Sequence, residues 1–135
     1  MKKVILAGTY PDHTFEKLRA LLPEKEFELK AVDTQEAYDA MTDAEFMILR
    51  IFKAPRPVIE RNPNLKMILR WGAGFDSVDI QAAGEHGVCV TNTPGANAGA
   101  VSELAVLLML AVGRKLLCHT ESLAKGEWSK NTFLN

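Results

Sequence analysis

An α/β fold on a parallel sheet is what this chain's patterning predicts, and three features lead there. Short aliphatic runs recur along the sequence, near Val4, Phe27, Phe46, Met67 and Val88. Between them lie segments with apolar residues at helical spacing. The strand-then-helix unit repeats, and parallel neighbours need such crossover connections.

The elements follow in order. Val4-Ile5-Leu6-Ala7 reads as a strand; Gly8 and a turn at Pro11-Asp12 follow, then Phe15, Leu18, Leu21 and Leu22 at helical spacing. Phe27 to Val32 alternates like a second strand, and Asp33 or Thr34 is placed to cap a helix running through Met41. Phe46-Met47-Ile48-Leu49 is a strand of the kind buried on both faces. Pro55 and Pro57 open a short helix near Val58-Ile59, and Met67-Ile68-Leu69 forms a fourth strand. A helix from Val78 to His86, closed by Gly87, leads to a fifth strand at Val88-Cys89-Val90. The expected domain, residues 1–96, is therefore a flavodoxin-like parallel five-stranded sheet with helices on both faces. Asn92-Thr93-Pro94-Gly95 then leads into one long helical stretch from about Asn97 or Ala98 to about Lys125, apolar on more than one face and expected to lean on a second domain or a second chain.

With 135 residues, 47% of them hydrophobic, and a net charge of −1, the chain buries one ordinary core. Positive and negative residues nearly cancel without long runs, so no basic footprint for nucleic acid or an anionic membrane exists. The most apolar stretch, Leu104 to Gly113, is far short of the ~20 residues that span a bilayer. Cys89 and Cys118 lack a metal-type spacing and no secretory leader is seen, so the expected setting is cytoplasmic, with buried, inert thiols. No metal site is expected.

The segment Arg70 to Asp79, RWGAGFDSVD, carries the most chemical information. Two glycines let the chain turn at the carboxyl end of a strand, Asp76 or Ser77 is placed to cap the next helix, and free N–H groups there suit a carboxylate or phosphate. A dinucleotide fingerprint fits only its first two glycines. Ser77 stands where the third belongs, and the next strand ends in Thr91 and Asn92 rather than in an acid.

RWGAGFDSVD (Arg70–Asp79), GVCVTNTPGAN (Gly87–Asn97), VSE (Val101–Glu103) and Arg114, taken in order, resemble the D-2-hydroxyacid dehydrogenase family from about Met67 to Trp128. The resemblance implies a substrate-binding domain whose loop amides at Ala73 and Gly74 hold the substrate carboxylate, with charge-assisted hydrogen bonds supplying the affinity. It also places Ala73 beside the nicotinamide of NAD or NADP. Arg50 falls where the family often has an Arg-Ser pair facing the cleft, but Ile51 replaces the serine, which leaves Arg50 between a ligand for a distal acidic group and an ordinary surface residue. Asn97, at the start of the interdomain helix, is a candidate substrate contact, a hinge, or simply a helix cap. Glu103 is read as structural, in the first turn of that helix. His13, His86 and His119 match no catalytic position.

Hydride transfer in this family uses an arginine, a glutamate and a histidine, all expected later than this sequence reaches; no catalytic residue is assigned here. The nucleotide fingerprint is expected just after Gly126-Glu127-Trp128, so residues 97–128 read as a hinge helix and 129–135 as the start of a nucleotide-binding domain. The isolated chain is expected to be inactive, to bind no cofactor alone, and to associate as a homodimer through the long helix. The alternative is a stand-alone module that binds a small carboxylate or dimerises without catalysis. A phosphorylated receiver domain has the same architecture but needs an aspartate ending the third strand, where Arg50 stands.

Overall fold

The structure, a computed structural model, describes residues 1–128; the reading of 129–135 as the start of a further domain lies outside those residues. Two compact units are present, the first spanning Met1–Ala96 and the second beginning at Asn97.

In the first unit five parallel strands are ordered β2-β1-β3-β4-β5. They are β1 (Lys2–Ala7), β2 (Phe27–Val32), β3 (Phe46–Leu49), β4 (Met67–Arg70) and β5 (Cys89–Thr91). Strand β1 pairs with β2 on one side and β3 on the other, so the winding reverses between β1 and β3. Outside the carboxyl ends of such strands a crevice opens.

Alternation along the strands builds two cores. Ile5, Ala7, Met47, Leu49 and Ile68 face helices α2 (Gln35–Ala40), α3 (Arg56–Glu60) and α4 (Ile80–Glu85), where Tyr38, Val58, Ile59, Ala82 and Ala83 complete the larger cluster. Val4, Leu6 and Leu29 face the other way, against Phe15, Leu18 and Leu22 in and just beyond α1 (Thr14–Leu21). Leu21, expected among the inward residues, points to solvent at 79% exposure. Phe15, Leu18 and Leu22 alone form an i, i+3, i+7 stripe.

Local chemistry sets the helix starts. Thr34 caps α2 by accepting from the Ala37 amide at 3.3 Å, and Pro55 and Pro57 bracket the start of α3. Helix α4 begins at Ile80, not Val78, and its cap is Asp79, whose Oδ1 accepts from the Ala82 amide at 2.8 Å. The expected caps Asp76 and Ser77 do not serve. Val78 bridges to Ala54, with Ala54 N donating to Ser77 O and Asp79 N to Ala54 O, and the helix starts only where that pairing ends. Asn62 is buried under α3. Its side chain accepts from Ala44 N and donates to Met41 O and Val58 O, satisfying three backbone groups.

Two expectations are corrected. Cys89 is exposed and free, as is Cys118. β5 is an edge strand, and Cys89 pairs with Met67 on the face opposite Ile68, a face where Met67 is also exposed. The single helix expected up to Lys125 is two: α5 (Ala98–Gly113) and α6 (Leu116–Ala124). Lys115 between them is left-handed at φ 50, so hydrogen bonding cannot run straight through. Glu103 lies in the second turn of α5, whose first turn carries no acid. Every residue of α5 is exposed or half-buried, Leu104, Leu107, Leu108 and Leu110 among the exposed.

Candidate functional site

The carboxyl ends of β1, β3, β4 and β5 place the site. After β1, Gly8 takes φ +124, and a Cβ there would stand 3.1 Å from the Ile51 amide nitrogen, so glycine lets the β1 and β3 exits approach closely. Tyr10 follows. Its hydroxyl donates toward Ile48 O at 2.6 Å and Ala7 O at 3.1 Å, locking it over the strand ends. Burial raises the Tyr10 hydroxyl pKa, against the opposing pull of Arg50 and Arg70, so it stays a proton donor at neutral pH.

Arg50, just past β3, lies over the Tyr10 ring at 5.8 Å and donates to Thr9 O. Trp71, just past β4, meets the same ring edge-on at 5.3 Å. Arg50 is thus a fixed part of an Arg-Tyr-Trp stack and not a loose surface arginine. Ile51 beside it is exposed at 55%.

The turn after β4 is tied down from several directions. Gly72, at φ +150, has its N–H bonded to Arg70 O at 2.9 Å and to Thr93 Oγ1 at 3.0 Å, while Thr93 N donates to Gly72 O at 3.1 Å. Arg70 spans the turn: Nε donates to Ser77 Oγ at 3.1 Å, and Nη1 to Trp71 O and Leu49 O. Asn92 Nδ2 donates to Ala73 O at 2.7 Å.

Against that background the N–H groups of Ala73 and Gly74 donate to no group among the described residues, and both residues are exposed. Unpaired amides of this kind suit an anion, and the Arg70 guanidinium spans the same turn. Asp76 borders it, one carboxylate oxygen lying 2.9 Å from where a Gly74 Cβ would stand. Beside the turn a hollow of about 340 Å³ is lined by Phe75, Ile80, Gly84, Val90 and Asn92.

The structure therefore brings Arg50, Ala73 and Gly74 to one end of one sheet. Asn97 opens the second unit, at the N-cap position of α5, where its side chain makes no capping bond. Tyr10, Arg70, Asn92 and Thr93, which hold this end together, were not singled out for those roles by sequence reasoning. Several of their ties join residues far apart in sequence, Tyr10 to Ile48, Arg70 to Leu49, Asn92 to Ala73 and Thr93 to Gly72. His86 is used locally, its Nδ1 lying 2.9 Å from Ala82 O.

A dinucleotide's pyrophosphate does not fit this turn. The Gly72 amide is already consumed, Ser77 is tied to Arg70, and β5 ends without a carboxylate for ribose. Among the described residues no group of His, Cys, Asp and Glu is arranged to hold a metal, and no helix is long and apolar enough to cross a membrane.

Comparison with known proteins agrees with the motif resemblance. The family model described as D-isomer specific 2-hydroxyacid dehydrogenase, catalytic domain, matches residues 4–132. Hydroxypyruvate reductase of Thermotoga maritima is 37% identical over 121 residues, covering 87% of this chain and 40% of that protein. D-3-phosphoglycerate dehydrogenase of Methanocaldococcus jannaschii is 40% identical over 100 residues, 73% of this chain and 19% of that one. A solved 2-hydroxyacid dehydrogenase of Ketogulonicigenium vulgare Y25 superposes over 100% of this chain and 43% of its own, with TM-score 0.75 and 31% identity. The NAD-bound formate dehydrogenase of Staphylococcus aureus covers 94% of this chain and 43% of its own, with TM-score 0.78 and 25% identity. The chain thus spans less than half the length of these relatives. With fold, motif order and family model in agreement, the chain belongs to the D-isomer specific 2-hydroxyacid dehydrogenases.

Proposed function

We propose that this chain is the substrate-binding part of an NAD(P)-dependent dehydrogenase acting on a small D-2-hydroxy or 2-oxo acid, inactive by itself. One observation carries the reading: the unpaired amides of Ala73 and Gly74 at the carboxyl end of β4, beside the point where the sheet's winding reverses. A carboxylate seated on them gains charge-assisted hydrogen bonds from donors that need no reorganisation. Arg50 and Arg70 add positive potential that favours acids over neutral ligands. Ala73 is the residue nearest the nicotinamide in this reading, and Asn97 begins the hinge toward the nucleotide-binding half.

A bound nicotinamide would supply the hydride, and no catalytic residue is assigned among those described. The residues present bind and orient. The test is titration with pyruvate, glyoxylate and hydroxypyruvate followed by tryptophan fluorescence, Trp71 lying at the turn, with and without NADH. Saturable binding without sustained NADH oxidation is expected; steady turnover, or no binding, contradicts the reading.

A second reading, a dimerising module without catalysis, draws on the exposed leucines of α5. Under the main reading the same helix drives self-association, expected as a concentration-dependent dimer in sedimentation. A clean monomer at high concentration removes both the homodimer and the second reading.

A further inference from the structure

Within a trans peptide the C=O of one residue and the N–H of the next lie in one rigid plane and point in opposite directions. Holding the carbonyl therefore aims the amide. The carbonyls of Gly72 and Ala73 are both held by the segment that follows β5, Gly72 O by Thr93 N at 3.1 Å and Ala73 O by Asn92 Nδ2 at 2.7 Å. The first bond orients Ala73 N–H. The second orients Gly74 N–H.

The two amides are not equally secured. Gly72 is fixed three ways, through its own N–H to Arg70 O and Thr93 Oγ1 and through its carbonyl to Thr93 N. The Ala73–Gly74 peptide has only the Asn92 side chain, and it leads into a glycine, which has the widest conformational freedom. Only the NH₂ end of the Asn92 amide donates to a carbonyl, and a carboxylate of the same shape would repel it.

We propose that Asn92 is a positioning residue that sets the direction of the Gly74 N–H toward the carboxylate of the bound acid. This role rests on the reading of Ala73 and Gly74 as carboxylate donors. It gives a use to the amide side chain that directly follows β5, near the position where a dinucleotide fold places an acid.

The test uses the full 135-residue chain, ¹⁵N-labelled, titrated with pyruvate as wild type, Asn92→Ala and Asn92→Asp, with a thermal midpoint for each. Asn92→Ala is expected to weaken binding on the order of tenfold, the effect of misplacing one donor to a charged group. Its thermal midpoint should barely move, and the pyruvate-induced shift of the Gly74 amide should shrink more than that of Ala73. Asn92→Asp should bind worse still at neutral pH. It should recover relative to wild type as acid protonates the new carboxyl and restores a donor, with no parallel rise in its thermal midpoint, which a purely structural role would require. If Asn92→Ala lowers the midpoint sharply, the pH recovery of Asn92→Asp decides: recovery supports the role and its absence overturns it. Wild-type affinity and an intact Gly74 shift in Asn92→Ala overturn the role alone, whereas a wild-type chain that binds no pyruvate overturns the underlying reading and the role with it.

Discussion

Gly72 shows at a single residue how the site trades backbone freedom for position. Its φ of +150 is a conformation side chains rarely adopt, and a Cβ would meet Arg70 Nη1 at 3.2 Å. Gly72→Ala should therefore cost about 1–3 kcal/mol of stability, measured by urea unfolding. Because Arg70 is displaced, acid binding should fall as well. An alanine variant of unchanged stability and affinity would show that neither the strain nor the Arg70 brace matters. The glycines and the turn they make after β4 were legible in the sequence. What could not be read was which amides remain free, since that depends on Thr93 and Asn92, some twenty residues on, taking the Gly72 groups and the Ala73 carbonyl. Arg50 was ambiguous for the same reason: its stack on Tyr10 joins residues forty apart.

Among the elements, strands were the easiest to read, because continuous apolar runs such as Phe46–Leu49, buried on one face and half-buried on the other, have few other uses. Helix ends were harder. Val78 carries an apolar side chain and was placed in α4, but its backbone bridges to Ala54, so the cap falls on Asp79. Asp79→Ala should destabilise the first unit by about 1 kcal/mol, the usual worth of an N-cap, and Ser77→Ala should not mimic it through any loss of capping. Equal cap loss in both, read as helix content around residues 80–85 by amide chemical shifts, would contradict the assignment. The break at Lys115 was invisible in the pattern, since Leu116 and Leu117 continue the apolar series across a left-handed residue.

For the whole molecule, charge pairing at the surface links stability to pH. Lys3 holds the Asp43 carboxyl below its ordinary pKa, Lys66 does the same for Glu45, and Arg56 for Glu85, in each case first through a direct hydrogen bond. A lowered folded-state pKa means stability that is present above the ordinary carboxyl range and lost as pH falls through the depressed values. Glu45→Gln/Glu85→Gln should narrow the gap between thermal midpoints at neutral pH and at about pH 3; an unchanged gap would show that these solvent-screened pairs contribute nothing. The family and the parallel sheet could both be recognised from residue order. The exposed Cys89 could not be, because burial is a property of neighbours and not of the side chain itself.

The central claim is that main-chain donors at Ala73 and Gly74 hold an acid. Amide-resolved NMR of the ¹⁵N-labelled chain during pyruvate titration tests it most directly. The account predicts that the Ala73 and Gly74 amide protons move downfield together, furthest of all residues and with one shared saturation curve. Saturable binding that leaves these two amides unmoved while shifting others would contradict it.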